Sequence, residues 1–201
     1  MEKVSINKSI HLSEHFSLGE VTKSKHAKIY NIPSHVAIEN LKRVCVWLEE
    51  LRARYNRFYV CVNEERSVSP PELGGVRGGL NKGMSGAPSD HPAHPGTPPN
   101  LGGEKDTEEP IIINSGYRSP ELNRKVGGSA TSNHLTGCAV DIRVYGIEQA
   151  MRYAVILMDY ADEAKQDYDE ILIERNRSGG YCLHFAVRPK DNRRKTMYLQ
   201  K

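Results

Sequence analysis

The sequence predicts an α+β fold in which a few amphipathic helices pack against a small, mainly antiparallel sheet. A long helical pattern lies in residues 1–64, and strand and helix patterns alternate over residues 110–201. Residues 65–109, between them, are almost devoid of large apolar side chains. With 201 residues and 38% apolar content, we expect a single domain built around one substantial core.

The N-terminal part of that domain is predicted to be helical. Ser17-Leu18-Gly19-Glu20 has the pattern of a capping box, in which a serine and a glutamate close the first turn of a helix. A longer helix is predicted to begin after Pro33-Ser34. Its buried face repeats at helical spacing and comprises Ala37, Leu41, Val44, Cys45, Leu48, Leu51 and Tyr55.

Residues 65–109 are predicted to form a flexible Pro/Gly-rich insert. Seven prolines and nine glycines fall in this segment. Such a composition cannot bury enough apolar surface to offset the entropy lost on ordering.

Residues 110–201 are predicted to hold the sheet. Strand patterns cover residues 111–115, 139–144, 169–174 and 181–187. A short helix is expected after Ser119-Pro120, where serine is the N-cap and proline occupies the first turn. A second amphipathic helix is expected to bury Ile147, Met151, Ala154, Val155, Met158 and Ala161.

Charge and apolar content exclude some classes of partner. The net charge of +3 is too small to indicate nucleic-acid binding, and no run of eighteen apolar residues predicts membrane insertion. The N-terminus lacks the apolar core of a signal peptide, so we expect synthesis in the cytoplasm. One basic cluster near the C-terminus is interpreted as solvated surface, with attraction to an anionic polymer as the alternative; it comprises Arg188, Lys190, Arg193, Arg194 and Lys195.

A three-ligand zinc site is predicted from His134, Asp141 and His184. His134 and Asp141 flank six residues that lead from a polar loop into a strand, and His184 lies in a later apolar strand. Two imidazoles and one carboxylate leave a fourth tetrahedral position open, as in catalytic zinc sites. Ligation by Cys182 or Cys138 would close that position and is the alternative; with no paired spacing, the four cysteines are expected to be free thiols.

Three segments carry a resemblance to a known family: Ser115-Gly116-Tyr117-Arg118-Ser119-Pro120, the residues Leu122-Asn123 with Val126-Gly127-Gly128-Ser129, and the stretch 132–143. Together they resemble the D-alanyl-D-alanine carboxypeptidase family of zinc peptidases. The branch that the chain resembles most is the compact carboxypeptidase-like domain of bacteria and their phages. The resemblance covers roughly residues 10–55 and 110–195. It implies the fold that these D,D-peptidases share with hedgehog-type domains.

The resemblance also implies roles for individual residues. His134, Asp141 and His184 match the zinc ligands of the family. Arg118 matches an arginine that holds the substrate or stabilises the developing oxyanion, and pairing with Asp141 is the alternative role. Ser132 matches a position that donates a hydrogen bond to the substrate.

The general base is where the chain departs from the family. Several relatives carry an acidic residue three positions before the last histidine, where this chain has Tyr181. A carboxylate is still needed to move a proton during hydrolysis. The candidates are Asp169, Glu170 and Glu174 on the preceding strand, and Glu174 is preferred because it ends the apolar run beside the loop before His184.

The resulting hypothesis is a zinc-dependent peptidase that hydrolyses a peptide bond in bacterial peptidoglycan stem peptides, of the carboxypeptidase or the endopeptidase type. It is expected to act as a monomer on the cell wall, in the manner of a phage or prophage endolysin. The first alternative is a zinc-stabilised binding module of the same fold without enzymatic activity. The second is an adhesion component in which residues 65–109 are the functional part.

Overall fold

The fold is α+β, as predicted, with helices packed against a five-stranded sheet. The computed structural model describes residues 7–26, 28–60 and 108–200. Nearly all of the predicted insert at 65–109 therefore lies outside the described residues, and its flexibility stays a prediction. In the three ranges described, no helix is long and apolar enough to cross a membrane.

The described residues form four α-helices and five strands in chain order. The helices are α1 (Leu18–Thr22), α2 (His35–Tyr55), α3 (Pro120–Lys125) and α4 (Ile147–Glu163). A π-helical turn (Asn56–Val60) follows α2, and a 3-10 helix (Asn133–Thr136) precedes β2. The strands are β1 (Ile113–Ser115), β2 (Ala139–Arg143), β3 (Glu170–Arg175), β4 (Tyr181–Ala186) and β5 (Lys195–Gln200).

Serine caps begin the helices where the sequence predicts them. Ser17 and Glu20 form the reciprocal capping box of α1. The Ser34 side chain accepts a hydrogen bond from the Ala37 amide at the start of α2, and Ser119 does the same for Leu122 at the start of α3. The first amide groups of a helix have no intrahelical partner, and these serine side chains satisfy some of them. The caps explain why α1, α2 and α3 begin directly after Ser17, Ser34 and Ser119.

The sheet has the order β1-β2-β4-β3-β5 and is antiparallel except for the parallel pair β3 and β5. The sequence analysis missed β5. Its side chains are mostly exposed, including Met197 and Tyr198, and it pairs with only one neighbour in the described sheet. An edge strand of this kind lacks the apolar pattern by which buried strands are recognised.

The core lies between the sheet and the helices α2 and α4. Trp47 of α2 is fully buried and contacts the rings of Tyr160 and Phe185, with ring centroids 4.8 and 5.4 Å away. All seven residues predicted for the buried face of α2 are buried.

The predicted face of α4 was partly wrong. Ala154 and Ala161 are buried, but Ile147, Met151 and Val155 are 41–51% exposed. The helix instead buries Ala150, Tyr153, Ala154, Ile156, Leu157 and Ala161.

A glycine fixes the 3-10 helix against α2. Gly137 ends that helix with φ +73°, a left-handed conformation that L-residues rarely adopt. A Cβ at Gly137 would lie 2.4 Å from the carbonyl oxygen of Ala37. The Asn40 side chain also donates a hydrogen bond to the Thr136 carbonyl at 2.9 Å. The segment that carries His134 is therefore held against the start of the longest described helix.

Candidate metal centre

Three elements bring His134, Asp141 and His184 to one point. His134 comes from the 3-10 helix, and the antiparallel register of β2 and β4 places Asp141 directly opposite His184. His134 Nε2 lies 3.2 Å from Asp141 Oδ1 and 3.3 Å from His184 Nδ1. His184 Nδ1 lies 2.9 Å from the same Asp141 oxygen. These residues are the group among the described ones that could hold a metal ion.

Hydrogen bonds on the far side of His134 orient its ring for ligation. His134 Nδ1 lies 2.6 Å from the carbonyl oxygen of Gly116. Since a carbonyl can only accept, Nδ1 must carry the proton, and Nε2 of the neutral ring presents a lone pair to the cluster.

His184 is oriented by a carboxylate in the same way. Its Nε2 lies 3.6 Å from Glu170 Oε2, and its Nδ1 faces Asp141. Burial opposes the charged imidazole, but the interactions with Asp141 and Glu170 are stronger and raise the pKa of His184 to about 9. Burial likewise opposes ionisation of Asp141, but the two histidines hold the pKa of that carboxyl far below its usual range. The cluster therefore favours positive charge at its centre.

The donor set fits a small divalent cation. A tetrahedral ion about 2.0–2.1 Å from its ligands separates them by about 3.3 Å. The three separations of 2.9–3.3 Å are close to that value. Two imidazole nitrogens and one carboxylate oxygen are ligands typical of zinc.

None of the three cysteines in the described ranges belongs to this cluster. Cys182 Sγ lies 3.3 Å from the carbonyl oxygen of Ile142 on the neighbouring strand, and Cys138 is buried beside Thr136. Cys45, Cys138 and Cys182 form no disulfide with one another.

Arg118 contacts Asp141 and lines the cleft above it. Its Nη2 donates to Asp141 Oδ2, the carboxylate oxygen that does not face the histidines, and its Nε donates to Ser115 Oγ at 2.9 Å. The structure thus shows the alternative contact considered for Arg118. The same side chain lines a cleft of about 450 Å³ that contains the metal cluster, so pairing with Asp141 and contact with a substrate are compatible.

Ser132 and Asn133 shape the rim of this cleft. Ser132 is the N-cap of the 3-10 helix, and its Oγ accepts from the His134 amide at 3.3 Å. The Asn133 side chain donates to Asp169 at 2.7 Å and to Glu170 at 3.2 Å. Sequence analysis did not single out Asn133, because its two partners lie more than thirty residues away.

The three carboxylates considered as general base lie in different surroundings. Glu170 and Glu174 share a face of β3 with Leu172, and all three line the cleft with His184. Glu170 forms ion pairs with His184, Arg193 and Lys195. The interaction with His184 is the main cause that lowers the pKa of Glu170 to about 2.

Asp169 points away from that face and is a fully buried ion-pair acceptor. Its oxygens accept from Arg188 at 2.8 Å, from Arg193 at 2.7 and 2.9 Å, and from Asn133 at 2.7 Å. Lys190, Arg193, Arg194 and Lys195 of the C-terminal basic cluster are exposed, as predicted, and Arg188 is half-buried; the ion pairs are an addition that the sequence analysis did not predict. Arg194 also pairs, with Asp162 and Asp167, so four of the five cations are bound to carboxylates.

The Asp169 network predicts an acid-sensitive contribution to stability. Burial opposes ionisation, but hydrogen bonds from Arg193 and Asn133 keep the pKa of Asp169 below the ordinary 3.8. Since the unfolded chain takes up this proton first, the stabilisation is complete above pH 3.8 and is lost as pH falls through the lower folded value. Asp169→Asn should cost about 1–3 kcal/mol at pH 7, because it leaves arginines without their carboxylate.

Urea unfolding of the chelated protein at a series of pH values measures this effect. The difference between wild type and Asp169→Asn should shrink as the pH falls through 3.8 and below. Asp159→Asn is the control, since Asp159 is exposed and pairs only with Arg54 at the surface, and it should change little. A difference that stays constant with pH would contradict the ion-pair account.

Tyr181 lies on the opposite face of β4 from the cleft. Alternation along β4 places His184 and Cys182 on one face and Tyr181 and Leu183 on the other, and Tyr181 packs against the core. An acidic side chain at position 181 of this strand would therefore point away from the metal cluster. Glu174, which pairs with Cys182 across the strands, lies on the cleft side.

Gly116 connects the metal cluster to the N-terminal helix. Its carbonyl holds His134, and a Cβ at this position would lie 2.3 Å from the carbonyl oxygen of Val21 in α1. Gly116→Ala should shift the carbonyl away from His134. We expect zinc affinity to fall about 10–100-fold, as for loss of an outer-shell partner, and stability to fall by about 1–3 kcal/mol.

Chelator competition and urea unfolding check this prediction. Gly146→Ala is the matched control, because a Cβ at Gly146 meets nothing within 4 Å. Equal zinc affinity in Gly116→Ala and wild type would show that the Gly116 carbonyl does not orient His134.

Comparison with known proteins is consistent with a metal-dependent peptidase. Residues 103–164 match the family model described as Peptidase M15. The match supports a relationship of the chain to the M15 peptidases, of the D-Ala-D-Ala carboxypeptidase or endopeptidase type, and it does not distinguish between the branches of that family. It includes Arg118, Ser132, His134 and Asp141, whereas His184 lies beyond it and reaches the cluster through the pairing of β2 with β4. No curated protein matches the chain.

Proposed function

We propose that the protein is a zinc-dependent peptidase that hydrolyses a peptide bond in the stem peptides of bacterial peptidoglycan. The observation that carries the proposal is the convergence of three metal-ligating atoms in a cleft that Arg118 and Glu174 also line. The match to the peptidase M15 model and the motif resemblance support the choice of substrate.

His134 Nε2, Asp141 Oδ1 and His184 Nδ1 would hold the zinc ion. The ion supplies Lewis-acid chemistry, since zinc polarises a scissile carbonyl and makes an attacking water acidic near neutral pH. The three residues that would hold the ion all line the cleft, and a site with only three protein ligands is typical of catalytic zinc, whereas a purely structural site has four.

Glu174 is proposed to take the proton from the attacking water and to deliver it to the leaving amine. Glu170 is less suited to that task, because it is engaged by His184, Arg193 and Lys195 and has a pKa of about 2. Asp169 is fully buried between arginines. Glu174 lies on the cleft face of β3, opposite Cys182 of β4, and is therefore the preferred candidate.

Arg118 is proposed to hold the substrate carbonyl or carboxylate beside the metal. Asp141 and Ser115 fix two of its nitrogens, Nη2 and Nε. Its Nη1 makes no hydrogen bond to any of the described residues. A guanidinium fixed in this way can donate to developing negative charge without reorganising.

The non-enzymatic binding module remains the second candidate, because Tyr181 replaces the acid that several relatives carry. The strand geometry weakens that argument: position 181 faces the core in this chain, and Glu174 supplies a carboxylate on the cleft side.

Digestion of purified peptidoglycan tests the proposal. Zinc-loaded wild type should release stem-peptide fragments that mass spectrometry identifies, and their masses should name the bond cleaved. The fragments should disappear with chelator and with His134→Ala. If zinc-loaded wild type releases no fragment from several wall chemotypes, the binding module becomes the better account.

A further inference from the structure

A basic groove adjoins the metal cleft and has no role in the reaction described so far. It has a volume of about 800 Å³. Its cationic wall comes from Lys23 and Lys25, which follow α1, and from Arg143 at the end of β2. Leu122 and Val126 are apolar residues that also line the groove.

The groove and the metal cleft are continuous. Arg118, Gly127 and Gly128 line both. Arg143 lies two residues beyond the ligand Asp141 on the same strand, and alternation puts both side chains on one face of the sheet. A chain bound at the metal cleft can therefore extend past Arg118 into the groove without leaving the surface.

The cations of the groove differ from those on the other side of the cleft. Arg193 and Lys195 there are paired with Glu170. By contrast, none of the carboxylates in the described ranges forms an ion pair with Lys23, Lys25 or Arg143, and no acidic side chain lines the groove. Arg143 Nε donates to the Asn114 side chain at 3.3 Å, which anchors the guanidinium at the groove wall.

Unneutralised cations in a concave site attract and orient anions, because low-dielectric walls focus their field. The apolar side chains of Leu122 and Val126 suit the aliphatic part of a peptide. Together these features fit a peptide that carries a carboxylate near its scissile bond, and they fit neither a neutral nor a cationic peptide as well.

We propose that this groove is a substrate subsite in which Lys23, Lys25 and Arg143 bind a side-chain or main-chain carboxylate of the peptide being cleaved. The inference rests on the proposed peptidase function and gives it a specificity: the preferred substrate is an anionic stem peptide. The free α-carboxylate of a γ-linked glutamate is such a group, and its amide is the matched neutral analogue.

Two synthetic stem peptides that differ only in this carboxylate or its amide test the proposal. Zinc-loaded wild type should cleave the acid with a kcat/KM about tenfold above that for the amide, the size expected of one charge-assisted hydrogen bond, and the difference should lie in KM. In Lys23→Gln/Lys25→Gln, and separately in Arg143→Gln, the ratio should fall towards one.

The control is Lys28→Gln/Lys165→Gln, which removes the same charge from exposed residues that do not line the groove and should keep the wild-type ratio. A ratio near one in wild type would overturn the proposal. The proposal would also be overturned if the groove variants and the control variant showed the same ratio of kcat/KM for the acid to kcat/KM for the amide.

Equilibrium binding of the two labelled peptides to the same proteins separates failure of the groove from failure of the peptidase function. If neither peptide is cleaved, the peptidase proposal fails for these substrates. The groove proposal then still requires that wild type bind the acid about tenfold more tightly than the amide, and that the groove variants lose this difference. Equal binding of the two peptides, or no binding, would refute it.

Discussion

Asp141→Asn is expected to abolish metal-dependent activity while leaving the protein folded. The substitution preserves the shape of the side chain but removes the charge that faces both His134 and His184. We expect zinc affinity to fall by more than about 100-fold, the upper value for losing an outer-shell partner. Activity at a zinc concentration that only just saturates wild type should fall by at least about 10²-fold, because most of the variant then lacks the ion and the several kcal/mol of transition-state stabilisation that a Lewis acid contributes.

The substitution should also destabilise the metal-free protein by about 1–3 kcal/mol, because Arg118 loses the carboxylate with which it pairs. Chelator competition, steady-state hydrolysis and urea unfolding measure the three effects separately. Asp159→Asn, a change at an exposed carboxylate outside the cleft, should match wild type in all three. Wild-type zinc affinity in Asp141→Asn would refute the assignment of this residue as a ligand.

Glu174→Gln is expected to lower kcat, whereas Glu170→Gln is expected to lower zinc affinity. Loss of a general base lowers kcat by about 10²–10⁴-fold, so Glu174→Gln should show this decrease at saturating zinc with unchanged zinc affinity. Glu170→Gln should lower zinc affinity by about 10–100-fold, because it removes the carboxylate that orients His184. Excess zinc should restore most of its activity.

The two variants are controls for each other, since both replace a carboxylate by an amide on the cleft face of β3. Measuring kcat and zinc affinity for both distinguishes a proton-transfer role from an orienting role. The reverse pattern, with kcat lost only in Glu170→Gln at saturating zinc, would transfer the proposed base to Glu170. If kcat is undiminished in both variants, neither of the two glutamates is the general base.

Much of the candidate site could be predicted because its chemistry is encoded locally. His134 and Asp141 are close in sequence. The chain passes from the polar segment that contains His134 into β2, which contains Asp141. The strand pattern around His184 was equally clear. The register that sets Asp141 opposite His184 depends on pairing between β2 and β4, which periodicity alone does not determine.

Contacts between distant segments were the part that could not be predicted. Alternation along β3 puts Glu170 and Glu174 on the same face, but the sequence does not show that Arg193, from a later loop, pairs with Glu170. The ion pairs of the other basic residues near the C-terminus could not be predicted either. A basic run in a sequence does not show whether carboxylates from elsewhere in the fold approach it.

The α4 error has a related origin. Periodicity placed the buried stripe on the larger apolar residues Ile147, Met151 and Val155, which are about half exposed. The fold buries Ala150 and Tyr153 instead. The Tyr153 hydroxyl accepts a hydrogen bond from the Gln149 side chain at 3.2 Å. A polar atom with a partner can be buried, and the pattern of apolar residues does not reveal that partner.

The central claim is that His134, Asp141 and His184 hold one zinc ion at a site open to the cleft. A crystal structure of the zinc-loaded protein, with anomalous data collected at the zinc edge, tests it most directly. The account predicts one zinc peak bonded to His134 Nε2, Asp141 Oδ1 and His184 Nδ1, with no fourth protein ligand. A fourth ligand such as Cys182, or a zinc ion bound elsewhere with this cluster empty, would contradict it.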